Sequence, residues 1–98
     1  IIAQSDGRYK SNTSTIDNSL DKVKRLRGVS YVKTDSEHVD MGLVAQELEQ
    51  VLPELVTTHK GADYDDEKSV NYNGVIPVLI EAIKEQQQQI EQLQQRSS

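Results

Sequence analysis

Hydrophobic positions in the first half of the chain recur at the spacing of two short amphipathic helices. The first is predicted to begin at a cap formed by Ser14 or Thr15 and to end at Gly28. Its apolar stripe consists of Ile16, Leu20, Val23 and Leu26. The second is predicted from Leu43 to Leu52, where Pro53 stops it. Its apolar face consists of Leu43, Val44, Leu48, Val51 and Leu52.

Short runs of β-prone residues around these helices predict strands, which makes the fold class α+β. The predicted strands are Val29–Val32, Leu55–Thr58 and Ser69–Tyr72, and Ile1–Ala3 could end a strand that enters from upstream. The last two internal strands can pair as a hairpin across the acidic turn Gly61–Lys68. Polar composition predicts loops at Ser5–Thr15 and at Thr34–Asp40.

The last quarter of the chain has the strongest periodicity. Isoleucine recurs every seven residues and leucine lies three positions after it, which is the a/d pattern of a coiled coil, but Gln86 takes the middle d position. The stripe consists of Ile76, Leu79, Ile83, Ile90 and Leu93. An isolated helix this rich in glutamine is marginal in water. We therefore expect a helix over about residues 73–96 that forms because it packs against copies of itself.

Composition supports that expectation. The chain has 98 residues, 35% of them hydrophobic, with no Phe, Trp or Cys. A domain this small has a marginal core, and without disulfides it often borrows core from partner subunits. No apolar run is long enough to predict a membrane span. Because the chain starts without Met, we expect it to be part of a longer protein.

Charge is divided unevenly along the chain, whose net charge is −5. Between Arg8 and Lys33 there are seven basic and two acidic residues, and from Thr34 onward there are thirteen acidic and four basic ones. A basic half can bind nucleic acid, but the acidic total and the lack of interleaved aromatics disfavour it. We expect instead that the two halves face each other, within one subunit or between subunits.

Few residues suggest chemistry on their own. His38 and His59 lack the spacing of a zinc site, and the acidic run 63–67 lacks the glycine and terminal glutamate of a calcium loop, so no metal or cofactor is predicted. Ser5 and Lys10 could form a Ser-Lys pair, since lysine can serve as the base for a nucleophilic serine. The pair alone is too common to be specific.

Five ordered blocks make the chain resemble a known family, the C-terminal intramolecular chaperones of phage tail spikes and fibres. The family includes endosialidase tailspikes, and similar domains occur in the myelin regulatory factor. The blocks carry S-D-x-R-x-K, L-R-G-V, G-x-x-A-Q-E with P-E-L-V, S-V-N-Y and I-P-V-L-I-E-A-I-K-E. They lie at Ser5–Lys10, Leu26–Val29, Gly42–Val56, Ser69–Tyr72 and Ile76–Glu85. Members often have Trp shortly after the position of Tyr31, where this chain has Val32 and Lys33.

The resemblance implies a self-cleaving chaperone that drives homotrimeric folding of the fibre upstream of it. It implies an intertwined homotrimer, with residues 1–4 ending the upstream segment and residues 5–98 forming the chaperone. Cleavage would fall at Gln4–Ser5, with Ser5 as nucleophile, Lys10 as general base, and Asp6 and Arg8 as supporting residues. The implied partners are its own copies and the upstream fibre, without membrane or nucleic acid. The implied setting is a fibre precursor in the host cytoplasm, with the domain released from the mature virion.

Chemistry limits how this cleavage could work. A serine that attacks the carbonyl just before it closes a five-membered ring. A lysine base must be neutral to accept a proton, which burial and a nearby cation such as Arg8 would favour. Five residues of extended chain separate side chains by about 16–17 Å and place them on opposite faces. Either the chain folds back at Asp6–Gly7, or Lys10 comes from another subunit.

Two further questions stay open in the sequence. Ile at a with Leu at d favours two-stranded coiled coils, whereas Gln86 and the resemblance favour three strands. The alternative to the enzyme is a non-catalytic trimerisation module in which Ser5 and Lys10 are inactive. The upstream fibre's receptor and the oxyanion donors are not specified by these residues.

Overall fold

The order of helices and strands follows the predicted α+β pattern, with one additional strand. The computed structural model describes residues 2–97. Its helices and strands are α1 Ser19–Lys24, β1 Val29–Val32, β2 Val39–Gly42, α2 Ala45–Glu49, β3 Val56–His59, β4 Glu67–Val70 and α3 Val75–Ser97. Single 3₁₀ turns lie at Gly7–Tyr9, Pro53–Leu55 and Tyr72–Gly74.

The strands form two separate antiparallel ribbons. β1 pairs with β2 from Val29 opposite Gly42 to Val32 opposite Val39, and β3 pairs with β4 from Val56 opposite Val70 to His59 opposite Glu67. The prediction of a loop through Asp40 was wrong because β2 begins at Val39. Val39 and Met41 are 67% and 86% exposed, so β2 is held by its pairing with β1 and not by burial of an apolar face.

The first predicted helix begins later than expected. α1 starts at Ser19, and its N-cap residue Asn18 has a left-handed backbone (φ 54°) and no side-chain cap. The predicted caps Ser14 and Thr15 therefore lie outside the helix. Ile16 lies outside it as well, although its side chain packs against the core. Tertiary structure supplies the cap, because Glu85 of α3 accepts hydrogen bonds from the first two backbone N–H groups of α1.

Other boundaries differ by one to three residues. α2 is shorter than the predicted Leu43–Leu52, β3 begins one residue after Leu55, and β4 lies two residues before the predicted Ser69–Tyr72. Ile2 and Ala3 are in no strand, and Ile1 lies outside the described residues. The long helix, predicted for about residues 73–96, is confirmed at Val75–Ser97.

The core is small and lies where α2 meets the first turns of α3. Its buried residues are Leu48, Leu52 and Val78. Half-buried apolar side chains from α1 and the β3–β4 ribbon pack around them. The radius of gyration is 17.4 Å, against about 13 Å for a compact domain of 100 residues. One chain is therefore extended, and the second half of α3 projects beyond the core.

The two apolar faces of α3 serve different purposes. Val75, Val78 and Ala82 are buried against the same chain. The predicted coiled-coil stripe lies on another face and stays exposed, at 55% for Ile76, 64% for Ile83 and 59% for Leu93. The stripe is thus free to contact another molecule.

Candidate active site

A single tight turn brings Ser5 and Lys10 together within one chain. The turn spans Gly7–Tyr9, with the Tyr9 N–H bonded to the Asp6 carbonyl and the Lys10 N–H bonded to the Gly7 carbonyl, both at 3.1 Å. Lys10 Nζ donates to Ser5 Oγ at 3.2 Å. Of the two arrangements compatible with the sequence, the chain adopts the one that folds back at Asp6–Gly7.

Asp6 and Arg8 hold this turn closed. The Asp6 carboxylate accepts from the backbone N–H of Arg8 at 2.9 Å and from the guanidinium through a fork, with Nη2 to Oδ2 at 2.7 Å and Nε to Oδ1 at 3.1 Å. These hydrogen bonds to the Arg8 side chain, and then to its backbone, lower the pKa of Asp6 below its usual value. The same pairing raises the pKa of Arg8. Both groups therefore stay charged, and the Arg8 charge is directed at Asp6 rather than at Lys10.

The segment Ser5–Lys10 lies in the open. All of its residues are exposed except Asp6, which is half-buried. The hydrogen bonds of its side chains within the described part of the chain join residues of the segment to each other. The expected burial of the Lys10 amine is therefore not provided by its own chain.

Three long-range contacts involve residues of the other family blocks. Arg27 forms a forked ion pair with Glu47, with Nη2 to Oε2 at 2.6 Å. The hydrogen bond to Arg27 lowers the pKa of Glu47, and the same hydrogen bond raises the pKa of Arg27. This pair joins the basic half of the chain to the acidic half, as the charge pattern predicts.

The second contact involves Tyr72 and the start of the G-x-x-A-Q-E block. The Leu43 N–H donates to Tyr72 Oη at 3.0 Å. A Cβ atom on Gly42 would lie 2.6 Å from the same Oη, closer than non-bonded atoms pack. A side chain at position 42 would therefore displace the Tyr72 hydroxyl, which occupies that space.

The third contact is the cap on α1. Glu85 accepts from the Ser19 N–H at 2.8 Å and from the Leu20 N–H at 3.2 Å. The roles of Arg27, Glu47, Tyr72 and Glu85 were not predicted from the sequence, although each residue lies in a family block. No local pattern marks these residues, since their partners are distant in sequence.

Other polar contacts within residues 2–97 lie on the β3–β4 ribbon and in the acidic turn between its strands. His59 Nε2 lies 2.8 Å from Ser69 Oγ across the β3–β4 ribbon, and both residues are exposed. Glu67 in the acidic turn accepts from the Asp63 and Tyr64 N–H groups. Within residues 2–97 no group of three or more His, Asp or Glu side chains could hold a metal ion. None of the helices in residues 2–97 combines the length and the hydrophobicity of a membrane span.

Comparison with known proteins agrees with the ordered blocks. The sequence profile of a peptidase family described as "Chaperone of endosialidase" matches residues 5–57, just over half of the chain, and begins at Ser5. The chain is 34% identical to the long tail fibre protein Gp37 of Enterobacteria phages K3 and T2 over 98% of its length. It is also 34% identical to the Gp37 of Enterobacteria phage M1 over 95% of its length. It spans 8% of the first two proteins and 39% of the third.

Proposed function

Because the chain belongs to the chaperone-of-endosialidase family, we propose that it is the C-terminal intramolecular chaperone of a phage tail fibre or spike. In this proposal residues 5–98 drive homotrimeric folding of the fibre upstream, and residues 1–4 end that fibre. The domain then releases itself by cutting the Gln4–Ser5 bond. The observation that carries the enzymatic part is the 3.2 Å contact between Ser5 Oγ and Lys10 Nζ at the start of the family match.

The cleavage proceeds in two balanced steps. Ser5 Oγ attacks the Gln4 carbonyl carbon through a five-membered ring while Lys10 removes the hydroxyl proton. The C–N bond breaks, its nitrogen takes a proton and becomes the amine of Ser5, and an ester links Gln4 to Ser5 Oγ. Water then hydrolyses the ester, which leaves a carboxylate on Gln4 and restores the Ser5 hydroxyl. Asp6 and Arg8 act as positioning residues because their ion pair closes the turn that brings Lys10 to Ser5.

Assembly supplies what the single chain lacks. Lys10 must be neutral to act as base, and its amine is exposed in one chain. Covering of the Ser5–Lys10 segment by neighbouring subunits would favour the neutral amine and couple cutting to completed assembly. The small core and the exposed stripe on α3 support association as the first step. In this proposal the domain acts on a fibre precursor in the host cytoplasm. After release it is not part of the mature virion.

A gel tests the cleavage directly. A chain extended upstream into its fibre should release a fragment slightly smaller than the 11.0 kDa of the present chain. Ser5→Ala should abolish release and Lys10→Gln should slow it by orders of magnitude, whereas Ser11→Ala, a change of another exposed serine nearby, should leave it intact. Release by the Ser5→Ala chain would overturn the assignment of the nucleophile.

Mixed assemblies separate action within one chain from action between chains. We propose that each Lys10 serves the Ser5 of its own chain, since the two groups already touch. Co-assembled Ser5→Ala and Lys10→Gln chains should then stay uncut. If mixed trimers release the fragment, the lysine acts across the subunit boundary instead.

A non-catalytic trimerisation module is the second candidate. The exposure of both Ser5 and Lys10 favours it, because the described part of the chain does not bury this pair. It predicts trimers of the extended chain in light scattering, with no fragment on the gel at any time. A monomer at all concentrations would contradict both candidates.

A further inference from the structure

Gln86 interrupts an otherwise apolar surface on α3. It occupies the d position between Leu79 and Leu93 and is exposed, and no hydrogen bond joins its amide to another described residue. Ile83 and Ile90 precede and follow it on the same stripe, at 64% and 43% exposure. Any helix that covers this stripe must therefore also cover a primary amide.

The positions beside the stripe cannot select a partner by charge. With isoleucine at a, the flanking e and g positions between residues 80 and 94 are Ile80, Ala82, Gln87, Gln89 and Gln94. None of these five is charged, and the charged g residue Arg96 lies beyond the last leucine of the stripe. Charged e and g residues are the usual means by which coiled-coil helices choose partner and orientation. This leaves Gln86 as the one polar group within the stripe that can favour one alignment over another.

We propose that Gln86 fixes the α3 helices of three copies in a parallel, in-register arrangement. This rests on the proposed homotrimeric assembly and adds its alignment. In that arrangement the Gln86 side chains of all copies lie at one level, where each amide can donate to and accept from its neighbours. A buried amide that lacks such partners is costly, so alignments that separate the glutamines are disfavoured.

The spacing of the stripe makes the competing alignments distinct. Two antiparallel stripes that overlap fully place Ile76 opposite Leu93 and Gln86 opposite Ile83. A parallel pair that slips by one heptad places Gln86 beside Leu79 or Leu93. Each alternative buries the amide against a hydrocarbon side chain, and only the parallel register pairs Gln86 with itself. A second copy of this chain is therefore the occupant that the stripe fits.

Disulfide trapping can measure the alignment because the chain has no cysteine. Ser97 lies at the a position that follows Ile90 by one heptad, so Ser97→Cys chains should cross-link to each other in the parallel register. Asn73 lies near residue 97 of an antiparallel neighbour, so mixed Asn73→Cys and Ser97→Cys chains should cross-link in that alignment. With Gln86 present we expect the first product to dominate.

Gln86→Leu should then reduce the ratio of parallel to antiparallel product by about tenfold. It should also raise the melting temperature, because a leucine replaces the polar d residue. Gln88→Leu, the same change on the outer face of α3, should leave the ratio as it was. If Gln86→Leu leaves the ratio unchanged, or if the antiparallel product dominates in the parent chain, the proposed role of Gln86 is wrong, although the proposed assembly still stands. A chain that sediments as a monomer at every concentration overturns the assembly and the alignment together.

Discussion

The Ser5–Lys10 segment and the body formed by residues 18–85 are held together in opposite ways. In the segment, hydrogen bonds join residues two to five positions apart, and nearly every side chain is exposed. In the body, the main polar contacts join residues 20, 29 and 66 apart. The segment therefore owes its shape to its own sequence, whereas the body owes its shape to tertiary structure.

This difference implies that the proposed cleavage and the stability of the fold depend on different residues. Changes in the segment should alter cleavage with little effect on unfolding, and changes in the body should alter unfolding first. It also bears on control of the proposed cleavage. Since Ser5 and Lys10 meet without help from the body, any dependence on assembly must come from what covers the segment rather than from what folds it.

The largest expected loss comes from the core of the body. Leu48 is 1% exposed and packs against Leu52 and Val78. Leu48→Ala should lower the free energy of unfolding by about 2–5 kcal/mol, a large share of what a small domain has. Urea unfolding followed by circular dichroism measures this. Met41→Ala, at a side chain that is 86% exposed, is the control and should have almost no effect. Similar losses in both variants would contradict the assigned core.

The second largest loss in the free energy of unfolding is expected from the cap on α1. Glu85→Gln removes the charge that faces the Ser19 and Leu20 N–H groups and leaves a single side-chain oxygen to accept from them. We expect a loss of about 1 kcal/mol in the free energy of unfolding. Glu91→Gln changes an exposed glutamate on the same helix that accepts a hydrogen bond from Gln87, and it should be nearly neutral. If the two variants unfold at the same urea concentration, Glu85 is no cap.

The parts of the fold that sequence could predict are those that local patterns specify. The long helix α3, the β1 strand and the end of α2 before Pro53 agree with the structure to within a few residues. β2 and the start of α1 could not be predicted in this way. β2 is formed by backbone pairing on a ribbon exposed to solvent, and α1 is capped by a residue 66 positions away.

The residues of the candidate site also fall into those that a local motif contains and those whose partners are distant in sequence. Ser5, Lys10, Asp6 and Arg8 are near neighbours in sequence, so a motif can contain all of them. That motif still left two geometries open, because the choice depends on a 3₁₀ turn that the sequence pattern does not specify. Arg27, Glu47, Tyr72 and Glu85 carry equally definite contacts, but each depends on the partner that folding brings to it.

A smaller effect is expected at Tyr72. Tyr72→Phe keeps the ring and removes the hydroxyl that accepts from the Leu43 N–H at 3.0 Å. The free energy of unfolding should fall by about 0.5 kcal/mol, the lower end of what one hydrogen bond contributes, because Tyr72 is 49% exposed. Tyr64→Phe, at a side chain that is 70% exposed, serves as the matched change. An equal response of the two variants in urea would show that the Tyr72 hydroxyl contributes nothing.

The smallest effect on the free energy of unfolding should come from the Asp6–Arg8 ion pair of the segment. The strength of this pair can be followed through the pKa of Asp6. Arg8 lowers the pKa of Asp6, so the pair stabilises the turn above the ordinary aspartate value of about 3.9 and is lost as pH falls through the lowered value. Arg8→Gln should raise the pKa of Asp6 towards that ordinary value, measured by NMR titration of its carboxyl carbon. The urea midpoint should not move, because both partners lie outside the packed body.

Arg27→Gln is the corresponding change in the body. It should raise the pKa of Glu47 in the same way, since the hydrogen bond to Arg27 is what lowers it. It should also lower the urea midpoint, because this ion pair joins residues 20 positions apart that separate on unfolding. If Arg8→Gln lowers the midpoint as much as Arg27→Gln, the segment unfolds together with the body. The nucleophile would then be positioned by the fold as a whole, and cleavage could not be changed without changing stability.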